Sequence, residues 1–476
     1  MVNVHLRIAD SATKRPLPVR LRIDGDDGTY YPPLGRAAFF PIGPGEAMGG
    51  QVRLAGENFA YIDGQCEVPL PAGVPLRIRA WHGPEWTPLD RTMTLGAGQL
   101  SLRFDMDRAI DRGARGWKCL DLRTHELGPF EAWLEARAED MDAVQLLARP
   151  GTMLAADGHS YATAKNLLAF GGATSILDRD GTAVFANTLN IHPVLGSLAL
   201  LQTHRPIFPL GFGGSDDTDD WSLSDWAAQA HRKRGLVVWC DPFRDPLHCG
   251  GEALIAAVHG DVDAIECDPL PRRVPFLPWL YRLWNAGVKL ALVGSSAKCS
   301  NGSAIGALRT YAAGPDWVES IRTGRCFASN GPLLHCEVNG RTAAASAESL
   351  VPFERLELIA DGRVLAAVMP TNDGGVDRAE IAGVAVPDSA SWVTARCQSD
   401  RPGWLNPTQP VFAHASAIFL GTAASSVPDR TAIAGAIERT RDWIAHEGRF
   451  AKPIRQQQHL DRCDAALQSI SREESD

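Results

Sequence analysis

The sequence has no apolar run near the ~20 residues that span a bilayer, so no membrane-spanning helix is expected within it. It has no C-x-x-C pair either. Its ten cysteines (66, 119, 240, 249, 267, 299, 326, 336, 397 and 463) are scattered. In so large a chain they read as free, mostly buried thiols rather than a disulfide framework. Positive charge is not in excess: 56 acidic residues face 47 basic ones, a formal net charge of −9. That balance argues against nucleic acid and against an anionic membrane surface as partners. P-loop, G-x-G-x-x-G and G-x-S-x-G patterns are all missing, so no phosphate cradle, dinucleotide fingerprint or serine elbow is expected. The opening MVNVHLRIAD lacks a basic segment followed by an apolar one and goes straight into a strand pattern. The expectation is a cytoplasmic chain, or one that has lost a leader.

What is present is alternation. A chain of 476 residues suggests about three domains. In residues 1–108, VNVHLRIAD, LPVRLRIDG, VPLRIRAWHG and QLSLRFDMD alternate apolar and polar residues between turn clusters. They predict an antiparallel sandwich with one wet face per sheet. Over 113–330 helical stretches (PFEAWLEARAEDM, LSDWAAQAHRKRG) lead into short buried runs (AVQLL, GLVVWC, VDAIEC, KLALVGSS). This is the signature of a parallel α/β sheet or barrel, whose chemistry collects at the carboxyl ends of the strands. Ser224 is placed to cap the second of those helices and Gly235 to end it. Residues 331–428 return to β patterning as a second sandwich, with Asp361-Gly362 closing a hairpin. A charged helical tail over 429–476 docks through Trp443 and Ile444.

One strand end poses the chemical question. In CLDLRTHE (residues 119–126) Asp121, Arg123 and His125 share a face. Asp-x-His-x-His there would be a metal-binding strand end. Arginine, however, keeps its proton and has no lone pair to give.

The chain resembles the PHP (polymerase and histidinol phosphatase) metallohydrolases, in their carbaryl-hydrolase-like CehA/McbA-type branch. RGWKCLDLRTH stands where that branch has R-G-W-x-x-G-D-L-H-x-H, and AHRKRGLVVWCDP where it has A-H-x-x-G-G-x-v-x-x-H-P. VDAIEC, the GSSAK loop, WVESIRTGRCFASNGPLLHCEVNG and FERLELIADGRV follow in the family's order. The resemblance covers nearly the whole chain. It implies an α/β fold built as a distorted (β/α)7 barrel flanked by N-terminal and C-terminal β-sandwiches. It also implies hydrolysis of phosphate esters, carbamates or amides by water bound to divalent zinc, manganese or iron.

Position by position, that metal set is eroded. Asp121 and His125 remain, but Arg123 stands for the first histidine, Asp241 for the histidine before Pro242, and Ser197 for a histidine after Gly196. In the loop that usually reads G-S-D-x-H, Ser296 replaces a carboxylate and Lys298 stands where a histidine often does. A hydrolytic metal needs about three or four imidazole or carboxylate ligands and an open position. Only His125, Asp241 and Asp121 qualify. Arg123 and Lys298, expected to face one cavity, would repel a dication. The expectation is a site without cofactor in which these cations supply the positive charge, Asp241 is a counter-ion, and an anionic small molecule is the natural ligand. The alternative is an active hydrolase with a reduced or displaced metal site, and His159, His192 and His204 are where a displaced ligand would sit. A Ser296–Lys298 dyad and a zinc site rewired through His248, Cys249, Cys240 and Cys299 are weaker options. The acidic run with Asp216, Asp217, Asp219 and Asp220 lacks calcium-loop spacing and is expected to be a solvated turn before a helix.

Overall fold

The structure is a computed structural model that describes residues 1–43, 46, 48–154, 160–214, 217–268, 273–421 and 426–471. Residues 1–106 make two sheets. One has three strands in the order Gln65–Leu70, Val2–Asp10, Ser101–Met106. The other has five, in the order Gln51–Leu54, Glu57–Ile62, Val19–Gly25, Pro75–Trp81, Leu89–Thr94. Alternation does its expected work between them: Val4, Leu6 and Ile8 meet Leu21, Ile23 and Ile78 in a sealed apolar core. The expectation of one wet face per sheet fails for the five-stranded sheet. Its outer face carries Arg20, at 1% exposure, and is covered by the helix Pro129–Ala138. There Arg20 Nη1 lies 3.5 Å from Glu139 Oε1, and the Tyr61 hydroxyl donates to the same carboxylate at 3.0 Å.

From residue 117 a single hydrogen-bonded path begins at Ala291–Val293. It runs through Ala264–Glu266, Leu236–Cys240, Gly196–Leu201, Thr182–His192, Ala143–Ala148 and Trp117–Thr124, then on through Arg309–Ala313 and Cys326–Ser329. The fold is therefore mixed α/β and rich in sheet, but no barrel is closed among the described residues. A regular (β/α)7 alternation is also interrupted. Thr182–His192 and Gly196–Leu201 pair antiparallel as a hairpin, where a helical crossover between parallel strands would be expected. The sheet curls nonetheless. Thr310 Oγ1 accepts from Gly294 N at 2.9 Å and donates to Gly294 O at 2.7 Å. Ser416 Oγ accepts from Leu292 N at 2.8 Å. Side chains and one isolated backbone bridge, Thr124 with Lys298, rather than a ladder, span the open side.

Beyond Cys326–Ser329 the same sheet continues through Pro410–Ala415, Trp392–Pro402, Arg355–Ala360 and Arg363–Val368. A separate four-stranded sheet orders Leu333–Asn339, Thr342–Ser349, Val376–Ala385 and Thr371–Asp373. Asp361 (φ 45°) and Gly362 (φ 79°) make the tight hairpin expected of them.

The helix Leu223–Arg232 corrects two local expectations. Its cap is Ser222, whose hydroxyl accepts from Asp225 N at 2.9 Å, and Ser224 lies inside the first turn. Arg234 takes the left-handed position at φ 60°. Gly235 is needed for another reason: a Cβ there would lie 2.4 Å from Thr203 Cγ2. Two helices, Val427–His446 and Pro453–Ser471, close the chain. Ile444 is sealed in the core, and Trp443 packs its ring 5.8 Å from that of His192.

Candidate functional site

The strand Trp117–Thr124 is buried from Cys119 onward. Leu120 and Leu122 join Ala143, Leu147 and Val238 in the core on one side. Asp121 and Arg123 are therefore delivered to the other side at the strand's carboxyl end. Asp241 follows directly on the strand Leu236–Cys240, in the left-handed region at φ 48°. Aspartate tolerates that conformation better than most side chains.

Arg123 is divided between two acids. Its Nη1 and Nη2 donate to Asp241 Oδ2 and Oδ1 at 2.7 and 3.1 Å. Its Nε donates to Glu266 Oε1 at 2.9 Å, and Nη2 lies 2.9 Å from Glu266 Oε2. Both edges of the guanidinium fork are thus used, the geometry in which arginine surpasses lysine. Burial disfavours the cation, yet Glu266 and Asp241 outweigh it and hold Arg123 protonated. Burial likewise opposes the Asp241 charge, but Arg123 and Arg244 keep that carboxyl well below its usual range. Burial pushes Glu266 up against the pull of Arg123. Ser295 donates to Glu266, and Arg244 Nη1 donates to Asp241 Oδ1 at 2.5 Å. These groups line a small cavity of ≈ 170 Å³ that Asn406 and Gln409 help to bound.

Asp121 organises backbone. Its Oδ1 accepts from Arg123 N (3.2 Å) and Ser296 N (3.1 Å), and its Oδ2 from Gly306 N (2.8 Å). Burial pushes its carboxyl up, and these hydrogen bonds oppose the rise. His125 Nδ1 lies 3.1 Å from Leu147 O, so that nitrogen carries the proton and Nε2 the lone pair. Burial, and then the Arg123 charge, lower its pKa to about 3, so the ring is neutral at ordinary pH.

Lys298 does not join Arg123, which corrects the expectation that the two cations face one cavity. The preceding Ala297 turns the chain at φ 50°. The fully buried ammonium then lies 3.4 Å from Glu135 Oε2 and donates to the carbonyls of Ser303 (2.5 Å) and Ser300 (3.1 Å). Burial pushes Glu135 up, opposed by Lys298. Ser296 Oγ accepts from Lys298 N at 3.2 Å, so the loop is knitted through its backbone rather than as a Ser–Lys dyad. Ser197 Oγ donates to Cys240 O at 3.0 Å.

The minor candidates separate as well. His159 and Asp216 lie outside the described residues. His192 is spent: Nδ1 accepts from Leu195 N (2.8 Å), and Nε2 binds Asp219 Oδ1 (2.8 Å). Asp219 and Asp220 in turn accept from Arg449 N (2.6 Å) and Ala451 N (3.1 Å). The acidic run therefore clamps the connector between the last two helices and is not merely a solvated turn. His204 is exposed on a different groove, beside Lys233 and Arg322. Cys249 Sγ contacts Thr440 Oγ1 at 3.3 Å, while Cys240 Sγ contacts Val238 O at 3.7 Å. Among the described residues no three His, Cys, Asp or Glu side chains converge in a way that could hold a metal ion. Nor do the residues present fit one, because the two carboxylates nearest the strand ends are both taken by Arg123. All ten cysteines are free, and among the described residues no helix is long and apolar enough to cross a membrane.

Glu266 is the participant that spacing did not single out, although an acid at the end of the buried run VDAIEC was a signal. Glu135, buried on the helix Pro129–Ala138, and Glu139, buried at its C-cap, were equally unforeseen.

No family model and no curated protein matches the chain. Among solved structures, the crystal structure of PsfC from Pseudomonas syringae PB-5123 aligns at 15% identity. The alignment covers 43% of this chain and 85% of that one, with a TM-score of 0.25, a likeness that bears on neither fold nor function here.

Proposed function

We propose that the chain is a PHP-type protein of the CehA/McbA branch whose metal centre has been replaced by a guanidinium, and that it is a non-catalytic homologue. The observation that carries this reading is Arg123, which binds Asp241 and Glu266 with both edges of its fork. A cation fixed between two strand-end carboxylates does the electrostatic work of a metal ion. It offers no open coordination position and activates no water. The size of the cavity supports the same reading: ≈ 170 Å³ falls below the ~300–1,000 Å³ of small-molecule sites. Lys298 belongs to this account only as a second internalised cation, neutralising Glu135 on the neighbouring helix.

The test is hydrolysis of p-nitrophenyl phosphate and 1-naphthyl N-methylcarbamate with zinc, manganese or ferrous iron supplied. Wild-type protein and Arg123→His should both stay at the buffer rate, because Asp241, Ser197 and Lys298 still depart from the ligand pattern. Metal-dependent turnover that disappears in Asp241→Asn would instead establish an active hydrolase.

A further inference from the structure

At the opposite end of the Trp117–Thr124 strand lies a cleft of ≈ 570 Å³. It opens between that strand end, Cys326–Ser329 and the four-stranded sheet. Its walls are apolar and fixed. Trp117 meets Phe327 edge to face at 4.9 Å, and Phe327 stacks on Tyr311 at 4.6 Å with 10° between planes. Phe327, Leu333 and Leu334, at 1%, 3% and 1% exposure, are sealed beneath the cleft, and Trp117 and Ile418 are the partly exposed apolar side chains that line it.

The ionisable lining is unusual for an acidic chain. Arg115, Arg325 and His335 face the cleft, and among the described residues no carboxylate lines it. Arg115 is answered from outside by Glu348 Oε1 at 2.6 Å, and His335 lies 3.4 Å from Glu337. Arg325 is held differently. Its Nε donates to Thr323 Oγ1 at 3.1 Å and its Nη2 to Ser320 Oγ at 3.3 Å. Hydroxyls fix its direction without cancelling its charge. The two thiols in the lining, Cys326 and Cys336, are pushed up to about 12 by burial and add no negative charge.

We propose that this cleft is a binding site for a small organic anion with an aromatic or branched apolar body. The carboxylate or sulfonate head sits on Arg325 and the body packs against Trp117 and Ile418. The volume lies within the range of drug-sized sites. A fork held by neutral oxygens retains its capacity for a charge-assisted pair. This site shares no residue with the Arg123 cavity, and it stands whether or not the Proposed function does.

The test is fluorescence titration of the full chain with 8-anilinonaphthalene-1-sulfonate and with its uncharged relative N-phenyl-1-naphthylamine. Wild-type protein should saturate with the sulfonate at one site. Arg325→Ala, at an exposed side chain, should weaken the sulfonate about tenfold, the value of one charge-assisted contact, while changing the uncharged probe less than about twofold. Ser346→Trp, which fills the cleft, should remove both. Equal loss of the two probes in Arg325→Ala, or no loss of sulfonate binding there, overturns the proposal. If Ser346→Trp fails to fold, the Arg325→Ala comparison decides alone.

Discussion

The two ends of the Trp117–Thr124 strand make opposite use of arginine. At the carboxyl end Arg123 is buried and shared between Asp241 and Glu266, so its charge is internal. At the amino end Arg325 is exposed and tied to hydroxyls, so its charge is available. The difference teaches that an arginine beside a cavity is evidence of anion binding only when no carboxylate already neutralises it. Burial with two carboxylates makes it a structural cation.

The largest expected effect breaks the first end. Arg123→Met leaves the buried Glu266 without an ion-pair partner and Asp241 with Arg244 alone, and should cost about 3–5 kcal/mol, read from the urea midpoint. Arg123→Lys should recover only part of this loss, because an ammonium cannot fork to both acids. Lys298→Met comes next, at about 2 kcal/mol, since a buried Glu135 already pushed up can take a proton. The two losses should add within ~0.5 kcal/mol, because the pairs share no partner. A larger coupling would mean that both cations serve one site.

A pH test sharpens the account further. The folded protein holds His125 at about 3, below its unfolded value of ~6.5. The unfolded state therefore protonates first, and stability is lost as pH falls from 6.5 towards 3. His125→Asn keeps an N–H for Leu147 O and removes that proton. It should flatten the loss between pH 6.5 and 4.5 by up to ~1.4 kcal/mol per pH unit. Asp241, held low, has the opposite origin. Its contribution is intact above ~4 and fades only below that value, so the difference between wild type and His125→Asn in the upper window reports on His125. His414, also at about 3, and the raised carboxyls of Asp121, Glu135 and Glu266 are common to both proteins. The smallest effect lies at the other end of the strand: Arg325→Ala should change stability by no more than ~0.5 kcal/mol.

Much of this was legible. Alternation located the strands Val2–Asp10, Val19–Gly25, Pro75–Trp81 and Ser101–Met106 and the Asp361-Gly362 hairpin, and strand-end reasoning found Asp241 opposite Arg123. Period two fails where a strand is covered on both faces. Most of Thr182–His192 is buried, with Asn187 and Asn190 satisfied internally, so it did not read as half of a hairpin. Ala264–Glu266 is too short for any period to mark Glu266. Lys298 was misdirected because the turn at Ala297 is set by tertiary structure, and residue spacing carries no sign of it.

Elemental analysis of protein purified without chelators tests the central claim most directly. The guanidinium account predicts zinc, manganese and iron far below about one ion per chain, the stoichiometry of a metal-built site, in wild-type protein and in Asp241→Asn alike. Around one ion per chain, lost on Asp241→Asn or Glu266→Gln, would contradict it.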